Sequence, residues 1–382
     1  MKVLTTVWSL FDNNIQKLNV SRNGGAIMIY NICEYLGRKV DSYVFVGSRS
    51  LSESDYNHIH ITDNSRYLPH DRSDIDLWQQ ALQKRFEEVL EELQPDYVLV
   101  QGSGDFSSYC ISTCKKKKVS FSFVDHLYMG KSGGEYIDLK TAEWENKEFS
   151  DPTLRIIAVG TSMKSNILRD YPALKDVCAI PNGTPYHGEV CSESLTEEYS
   201  LRDKKVLLCS GSLQPRKNQL QLVRAYAMLP ELYKRNIRVL FCGKDSARYP
   251  TKDLLLSAIK ESNLEDKMFY IGTYPMDEMK KVYSVADALI MPSLSEGLSL
   301  VALEMLTYGK PVIMFADNET AGDVNDSKVV VLAQDHSDQS LAAAIMEWYD
   351  RDWDDTYIKK YSNYYSMERV ADEYIEYCNN TL

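Results

Sequence analysis

Ala288-Leu-Ile-Met-Pro-Ser-Leu-Ser-Glu-Gly-Leu-Ser-Leu-Val-Ala-Leu-Glu-Met-Leu-Thr-Tyr-Gly-Lys-Pro-Val-Ile-Met314 changes its hydrophobic period twice. The apolar run Ala288–Met291 reads as a buried strand. Leu300, Leu303, Glu304 and Leu306 then recur at helical spacing, and Gly309 and Pro311 end that helix before a second apolar run, Pro311–Met314. Strand, loop, helix and strand in this order are a unit of a parallel sheet. The loop carries one carboxylate, Glu296, and the helix another, Glu304. Past Gly297, the amides of Leu298, Ser299 and Leu300 open the helix without intrahelical partners, so they are expected to point at an anion. Glu296 and Glu304 can accept hydrogen bonds from hydroxyls on either side of it. Hydroxyls, a diphosphate and a ribose diol are the layout of a sugar nucleotide. A turn glutamate and a solvated helix glutamate would show the same spacing, so the pair alone does not decide.

The same alternation runs through the chain. Strands are expected at Lys2–Val7, Ser42–Val46, Tyr97–Val100, Val119–Val124, Ile156–Val159 and Val177–Ile180, with helices such as Gly25–Leu36 and Leu77–Leu93 between them. A second series follows at Val206–Ser210, Val239–Cys242, Met268–Ile271, Ala288–Met291 and Pro311–Met314. Two such series predict two Rossmann-like α/β domains, each a parallel sheet covered by helices on both faces. The turn Ile180-Pro-Asn-Gly-Thr-Pro185 marks the boundary, giving domains over 1–184 and 185–360. The tail is helical and rich in Tyr and Trp; residues 361–382 are expected to cross back to the first domain. Ligands of open parallel sheets bind at the carboxyl ends of strands, so motifs that follow strands are expected to face one inter-domain cleft.

The 382 residues are enough for two domains, and the formal net charge of −12 disfavours a nucleic-acid partner, which needs a basic surface. The 8 cysteines include no C-x-x-C pair, and several sit in apolar runs. A reduced, cytosolic compartment fits that pattern. No metal site is expected. No signal-peptide pattern or membrane-spanning run is evident.

Cys209-Ser-Gly-Ser-Leu-Gln-Pro-Arg-Lys-Asn218 follows the first strand of the second series. Gly211 permits a tight turn, and Arg216 and Lys217 fall near a helix start. Cations are disfavoured there unless an anion is present, so the pair points to a bound diphosphate. Gly243, after Val239–Cys242, is placed to let backbone approach the nucleotide; Lys244 reads as a surface lysine. Ser21-Arg-Asn-Gly-Gly-Ala26, with Gly24 and Gly25, opens the first long helix and can admit a phosphate or sugar. Asp125 and His126 end the strand Val119–Val124. His126 is either a sugar-hydroxyl contact or a loop histidine without a role.

Three patterns mislead. Asp74-Ile-Asp76 imitates a metal-binding D-x-D but precedes a helix, so it reads as a cap. Gly102-Ser-Gly104 imitates a dinucleotide loop but has Ser107 at the third glycine position. Lys115–Lys118 reads as a solvated helix end, with a peripheral contact to anionic lipid at the inner face of a membrane as the other reading.

The run from Glu296 to Val312, Glu-Gly-Leu-Ser-Leu-Val-Ala-Leu-Glu…Gly-Lys-Pro-Val, resembles glycosyltransferase family 4, retaining enzymes of the GT-B fold. Cys209–Asn218 is similar to the family's G-R-L-x-x-x-K-G pattern, with Lys217 at the lysine and Ser212 where the family has arginine. The resemblance implies an acceptor-binding first domain and a donor-binding second domain. It implies that Glu304 binds ribose hydroxyls, that Glu296 holds the transferred sugar, and that Lys217, with Arg216 as substitute for the missing arginine, stabilises the leaving diphosphate. Gly24 and Gly25 would line the site, and no cofactor beyond the nucleoside-diphosphate sugar is implied. The acceptor would be a carbohydrate, glycolipid or glycoconjugate, in polysaccharide or glycoconjugate assembly. Two other readings stand beside it. Ser212 suits an inactive homologue serving as a scaffold subunit for another transferase. Two Rossmann-like domains also suit an NAD-dependent oxidoreductase, against which the lack of G-x-G-x-x-G counts.

Overall fold

A computed structural model describes residues 1–8, 24–48, 54–68, 74–130, 138–185, 188, 193–245, 249–275 and 277–382. The chain forms two compact units, Met1–Gly183 with Met367–Leu382, and Thr184–Ser366.

The first unit holds β1 (Lys2–Val7), β2 (Asp41–Val46), β3 (Ser54–Tyr56), β4 (Ile59–Ile61), β5 (Tyr97–Gln101), β6 (Phe121–Asp125), β7 (Arg155–Ala158) and β8 (Asp176–Ala179). They form one sheet in the order β3-β4-β2-β1-β5-β6-β7-β8. All pairings are parallel except the β3–β4 hairpin. The central strands are buried along their length, as expected for a sheet covered on both faces. The hairpin is not anticipated from the sequence. Its strands are three residues long, too short to show a period, and β4 is held by its pairing with β2.

The second unit is a six-stranded, wholly parallel sheet of β9 (Lys205–Ser210), β10 (Ile237–Cys242), β11 (Met268–Gly272), β12 (Ala288–Met291), β13 (Val312–Phe315) and β14 (Val330–Ala333). Its order, β11-β10-β9-β12-β13-β14, reverses direction between β9 and β12. Such a reversal is where open parallel sheets bind ligands, at the carboxyl ends of the strands.

The tail is three helices rather than one. Asp338–Asp350 and Asp355–Ser362 stay with the second unit, and Met367–Asn380 belongs to the first. The aromatic residues explain where the chain crosses. Tyr357 donates to Asp326 Oδ2 at 2.6 Å and Tyr365 to the Asp323 carbonyl at 2.8 Å, holding the chain to the second unit through Ser366. Beyond it, Val370, Ala371 and Tyr374 are buried in the first unit, and Arg155 donates to the Thr381 carbonyl at 3.0 Å. Gly183 lies under this helix: a Cβ there would meet Met367 Sδ at 2.8 Å.

The misleading patterns resolve locally. Asp74 caps the helix Ile75–Leu93, accepting from the Leu77 amide at 3.0 Å. Gly104 precedes the helix Asp105–Lys117 at φ +136°. The lysines at that helix's end are not a free cationic patch. Lys115 bonds Asp151, Lys117 bonds Glu91 at 2.5 Å, and Lys116 lies 3.6 Å from Glu87. These acids offset three of the four charges that an anionic surface would attract. Among the described residues, no helix is long and apolar enough to cross a membrane.

Candidate active site

The charged residues at the carboxyl edge of the second unit's sheet begin with those that follow β9 and β12. After β9, Gly211 turns the chain at φ +150°, with its amide on the Cys242 carbonyl at 2.9 Å. A single 3-10 turn, Pro215–Lys217, follows, and Asn218 at φ +54° leads into the helix Gln219–Ala227. Asparagine tolerates that left-handed conformation. Arg216 and Lys217 thus stand just ahead of a helix start, as expected.

Both cations converge on Glu296. Lys217 Nζ bonds Glu296 Oε1, Arg216 Nη1 lies 3.2 Å from Oε2, and Arg216 also donates to the Ser295 carbonyl. A backbone bond of 2.9 Å from the Leu294 amide to the Arg216 carbonyl joins the two loops directly. Burial alone would raise the Glu296 carboxyl, but Lys217 and Arg216 outweigh it and hold it down at about 2. Ser212, in the position of the family arginine, is exposed and accepts from Gln214 at 3.0 Å.

Gly243 and Gly211 are packed back to back. Gly243 sits at φ +157°, and a Cβ on it would fall 1.8 Å from the Gly211 carbonyl oxygen. The space beside Gly211 is taken by Lys217, whose Cε would lie 3.3 Å from a Cβ there. Gly243 therefore seats the β9 loop, and Lys244 is an exposed lysine whose carbonyl accepts from the Leu213 amide at 2.9 Å.

The Glu296 loop is also held from the far side, by residues that sequence reasoning missed. Asn318 Nδ2 donates to the Ser293 carbonyl at 3.2 Å. Glu319 Oε2 accepts from the Glu296 amide at 3.0 Å, and Thr320 Oγ1 donates to the Gly297 carbonyl at 2.9 Å. Thr320 Oγ1 also accepts from the Ser299 amide at 3.1 Å. This corrects one expectation: the Ser299 N–H is spent inside the fold and does not face a ligand. Leu298 is buried, and Leu300 begins the helix Leu300–Thr307. Asn318-Glu319-Thr320 follows β13 and begins with a side-chain cap, so a strand end followed by an N-cap was the available signal.

Glu304, one helix further on, meets different neighbours. Tyr283 donates to its Oε2 at 2.5 Å, and no cation is paired with it among the described residues. Burial pushes its carboxyl up to about 7, against the Tyr283 bond that lowers it.

In the first unit, Gly24 and Gly25 form the first turn of the helix Gly24–Gly37, while Ser21-Arg-Asn lies outside the described residues. His126 stands at the carboxyl end of β6 and its Nε2 is 2.7 Å from Gln101 Oε1. Among the described residues, no group of three His, Cys, Asp or Glu side chains is placed to hold a metal.

Two family models together match most of the chain: Glycosyltransferase Family 4 over residues 22–186 and Glycosyl transferases group 1 over residues 193–364. The chain belongs to the family 4 type of GT-B glycosyltransferases. This family 4 chain is 32% identical over 152 residues to the D-inositol 3-phosphate glycosyltransferase of Corynebacterium glutamicum, a match spanning 39% of the chain and 36% of that enzyme. It is 24% identical to an uncharacterised glycosyltransferase of Methanocaldococcus jannaschii, over 68% of each. Among solved structures, Anabaena HepE in complex with UDP superposes with a TM-score of 0.75 over the whole of both chains at 15% identity. A likeness of that degree carries the fold, and it agrees with the two parallel sheets described above.

Proposed function

We propose that this family 4 glycosyltransferase moves a sugar, with retention of anomeric configuration, from a nucleoside-diphosphate sugar to an acceptor hydroxyl. A UDP- or GDP-sugar is the donor, and the product belongs to polysaccharide or glycoconjugate assembly. The observation that carries this reading is the convergence of Arg216 and Lys217 on Glu296 at the carboxyl ends of β9 and β12. A diphosphate is the anion that these two cations would take in exchange for Glu296. UDP in the HepE structure supports a nucleoside diphosphate as the ligand class.

In this reading Glu296 holds the hydroxyls of the transferred sugar and Glu304 those of the ribose. Gly211 and Gly243 bring backbone close to the diphosphate. Lys217 and Arg216 stabilise charge that grows on the diphosphate as its bond to the sugar C1 breaks, so they act more strongly on the transition state than on the bound donor. The acceptor oxygen bonds C1 on the same face, and its proton passes to the departing phosphate oxygen. With two cations in place the reading needs no metal. The scaffold alternative rests on Ser212, and the position of Arg216 on Glu296 counts against it.

A thermal-shift panel with UDP, GDP, ADP and NAD tests the proposal. Ligand at 100 times its Kd adds about 2.7 kcal/mol, so one nucleoside diphosphate is expected to raise the melting temperature. The shift is expected to vanish in Lys217→Ala, whose kcat falls at least tenfold, about 1.4 kcal/mol. No shift with any diphosphate would sink the donor site; a shift with NAD alone would favour the oxidoreductase.

A further inference from the structure

The carboxyl edge of the first unit's sheet carries buried polar groups that are only half satisfied. Gln101 ends β5 and is 2% exposed; Asp125 ends the adjacent β6 and is 1% exposed. His126 Nε2 and Gln101 Oε1 are 2.7 Å apart. An amide oxygen accepts only, so Nε2 carries the proton and donates. His126 Nδ1 is then a bare lone pair. That atom, Gln101 Nε2 and Asp125 Oδ2 are all buried and have no hydrogen-bond partner among the described residues. Native interiors seldom leave such atoms bare, so a ligand group or ordered water completes them.

The turn that follows His126 is fixed from behind. Asp125 Oδ1 accepts from the Leu127 amide at 3.1 Å, and Glu145, on the helix Leu139–Glu148, accepts from the Met129 amide at 3.0 and 3.2 Å. Burial pushes both carboxyls up, and the nearness of Asp125 pushes Glu145 further. The pair therefore retains a proton near neutral pH. Burial also pushes His126 down to about 4, which keeps the imidazole neutral.

We propose that Gln101 is a positioning residue that fixes His126 as its Nε2–H tautomer, with Nδ1 held ready to accept a hydrogen bond from a sugar hydroxyl. A hydroxyl both donates and accepts. It can therefore donate to the acceptor that His126 Nδ1 offers. The hydroxyl contact rests on the transferase reading above; the tautomer does not.

Long-range 1H–15N NMR of the full chain, labelled at its 6 histidines, separates the two. His126→Gln assigns the resonance. The wild type is expected to show the Nε2–H tautomer, with no titration between about pH 5.5 and about pH 8. Gln101→Leu, of similar size, is expected to mix the tautomers and lower kcat at least tenfold with the donor KM unchanged. Gln101→Glu keeps the shape but places a carboxylate against Nε2, facing the same Asp125 and Glu145. It is expected to move the His126 titration upward into the observed range. An Nδ1–H wild type, which the opposite Gln101 amide orientation would produce, overturns the proposal, as does a pure tautomer retained in Gln101→Leu. Tautomers that shift as expected while Gln101→Leu and His126→Ala keep wild-type kcat and KM overturn the hydroxyl contact. If no sugar donor is turned over at all, the transferase reading fails, and the spectra still decide the role of Gln101.

Discussion

The two sheets end in opposite electrostatic styles. At the β9–β12 edge, charges are paired and held close: two cations on Glu296, whose carboxyl is kept down at about 2. At the β5–β6 edge, the groups are neutral and short of partners: His126 is kept uncharged, the Asp125 and Glu145 carboxyls are pushed up, and three polar atoms have no partner among the described residues. The first environment suits an anion, which exchanges one partner for another. The second suits an uncharged polyol, which supplies hydrogen bonds without adding charge to a low-dielectric site. The same strand-end geometry thus serves two ligand chemistries, and the side chains following each strand decide which.

The sharpest way to break this contrast is to remove the cations. In Arg216→Met/Lys217→Met, Glu296 is left buried and unpaired. Breaking a buried ion cluster costs about 3–5 kcal/mol, and urea unfolding is expected to show a loss of that order. The pH dependence should reverse sign. In the wild type, the depressed Glu296 carboxyl contributes stability that is present above its unfolded value and is lost as pH falls toward about 2. In the double variant burial is opposed only by a hydrogen bond from Ser293, so the carboxyl is expected to be raised and stability to fall as pH rises. Adding Glu296→Gln is expected to restore most of the loss. If the double variant matches the wild type in stability at every pH, the paired-charge description is wrong.

A smaller effect is expected where the same edge is built from backbone. Gly243→Ala would place a methyl 1.8 Å from the Gly211 oxygen at a φ that L-residues avoid. The β9 loop must move, at about 1–3 kcal/mol for forced overpacking, and nucleotide binding should weaken with it. Gly211→Ala meets only the flexible Lys217 side chain at 3.3 Å and should cost less, although its φ is also strained. Calorimetry with the preferred nucleoside diphosphate ranks the two; a Gly211→Ala defect larger than that of Gly243→Ala would contradict the packing order.

Much of this was legible in sequence because the signals are local. β12, the loop with Glu296 and the following helix declare themselves by a change of period, and Arg216 with Lys217 by their place between a strand and a helix. The β3–β4 hairpin did not, since Ser54-Asp-Tyr has no apolar pattern and both strands are only three residues long. β14 is as short and as apolar as β13, and the sequence reading passes over it. The residues that complete the sites are silent for a different reason. Glu319 reaches Glu296 across 23 positions, Tyr283 reaches Glu304 across 21, and Gln101 reaches His126 across 25. Each is a polar residue whose role exists only once elements separated in sequence are neighbours. The Ser299 amide shows the converse. Helix geometry leaves it free, and tertiary structure uses it.

Glu304 gives the finest test, because it shares a segment with Glu296 but titrates in the opposite direction. Its carboxyl is raised to about 7, mainly by burial, and the Tyr283 hydroxyl partly offsets that rise. A raised acid costs the fold stability as it ionises, so this penalty is absent below the unfolded value and complete above about 7. A ribose diol needs acceptors and is therefore bound better by the carboxylate. Donor kcat/KM is expected to fall as pH drops through about 7. Tyr283→Phe removes the one bond that favours the ionised form, so the acid limb should move to higher pH, with little change on the alkaline plateau. If the limb stays in place, the Tyr283 bond does not tune Glu304. If the limb moves while nucleotide affinity stays constant across the same range, Glu304 titrates as described but does not hold the ribose.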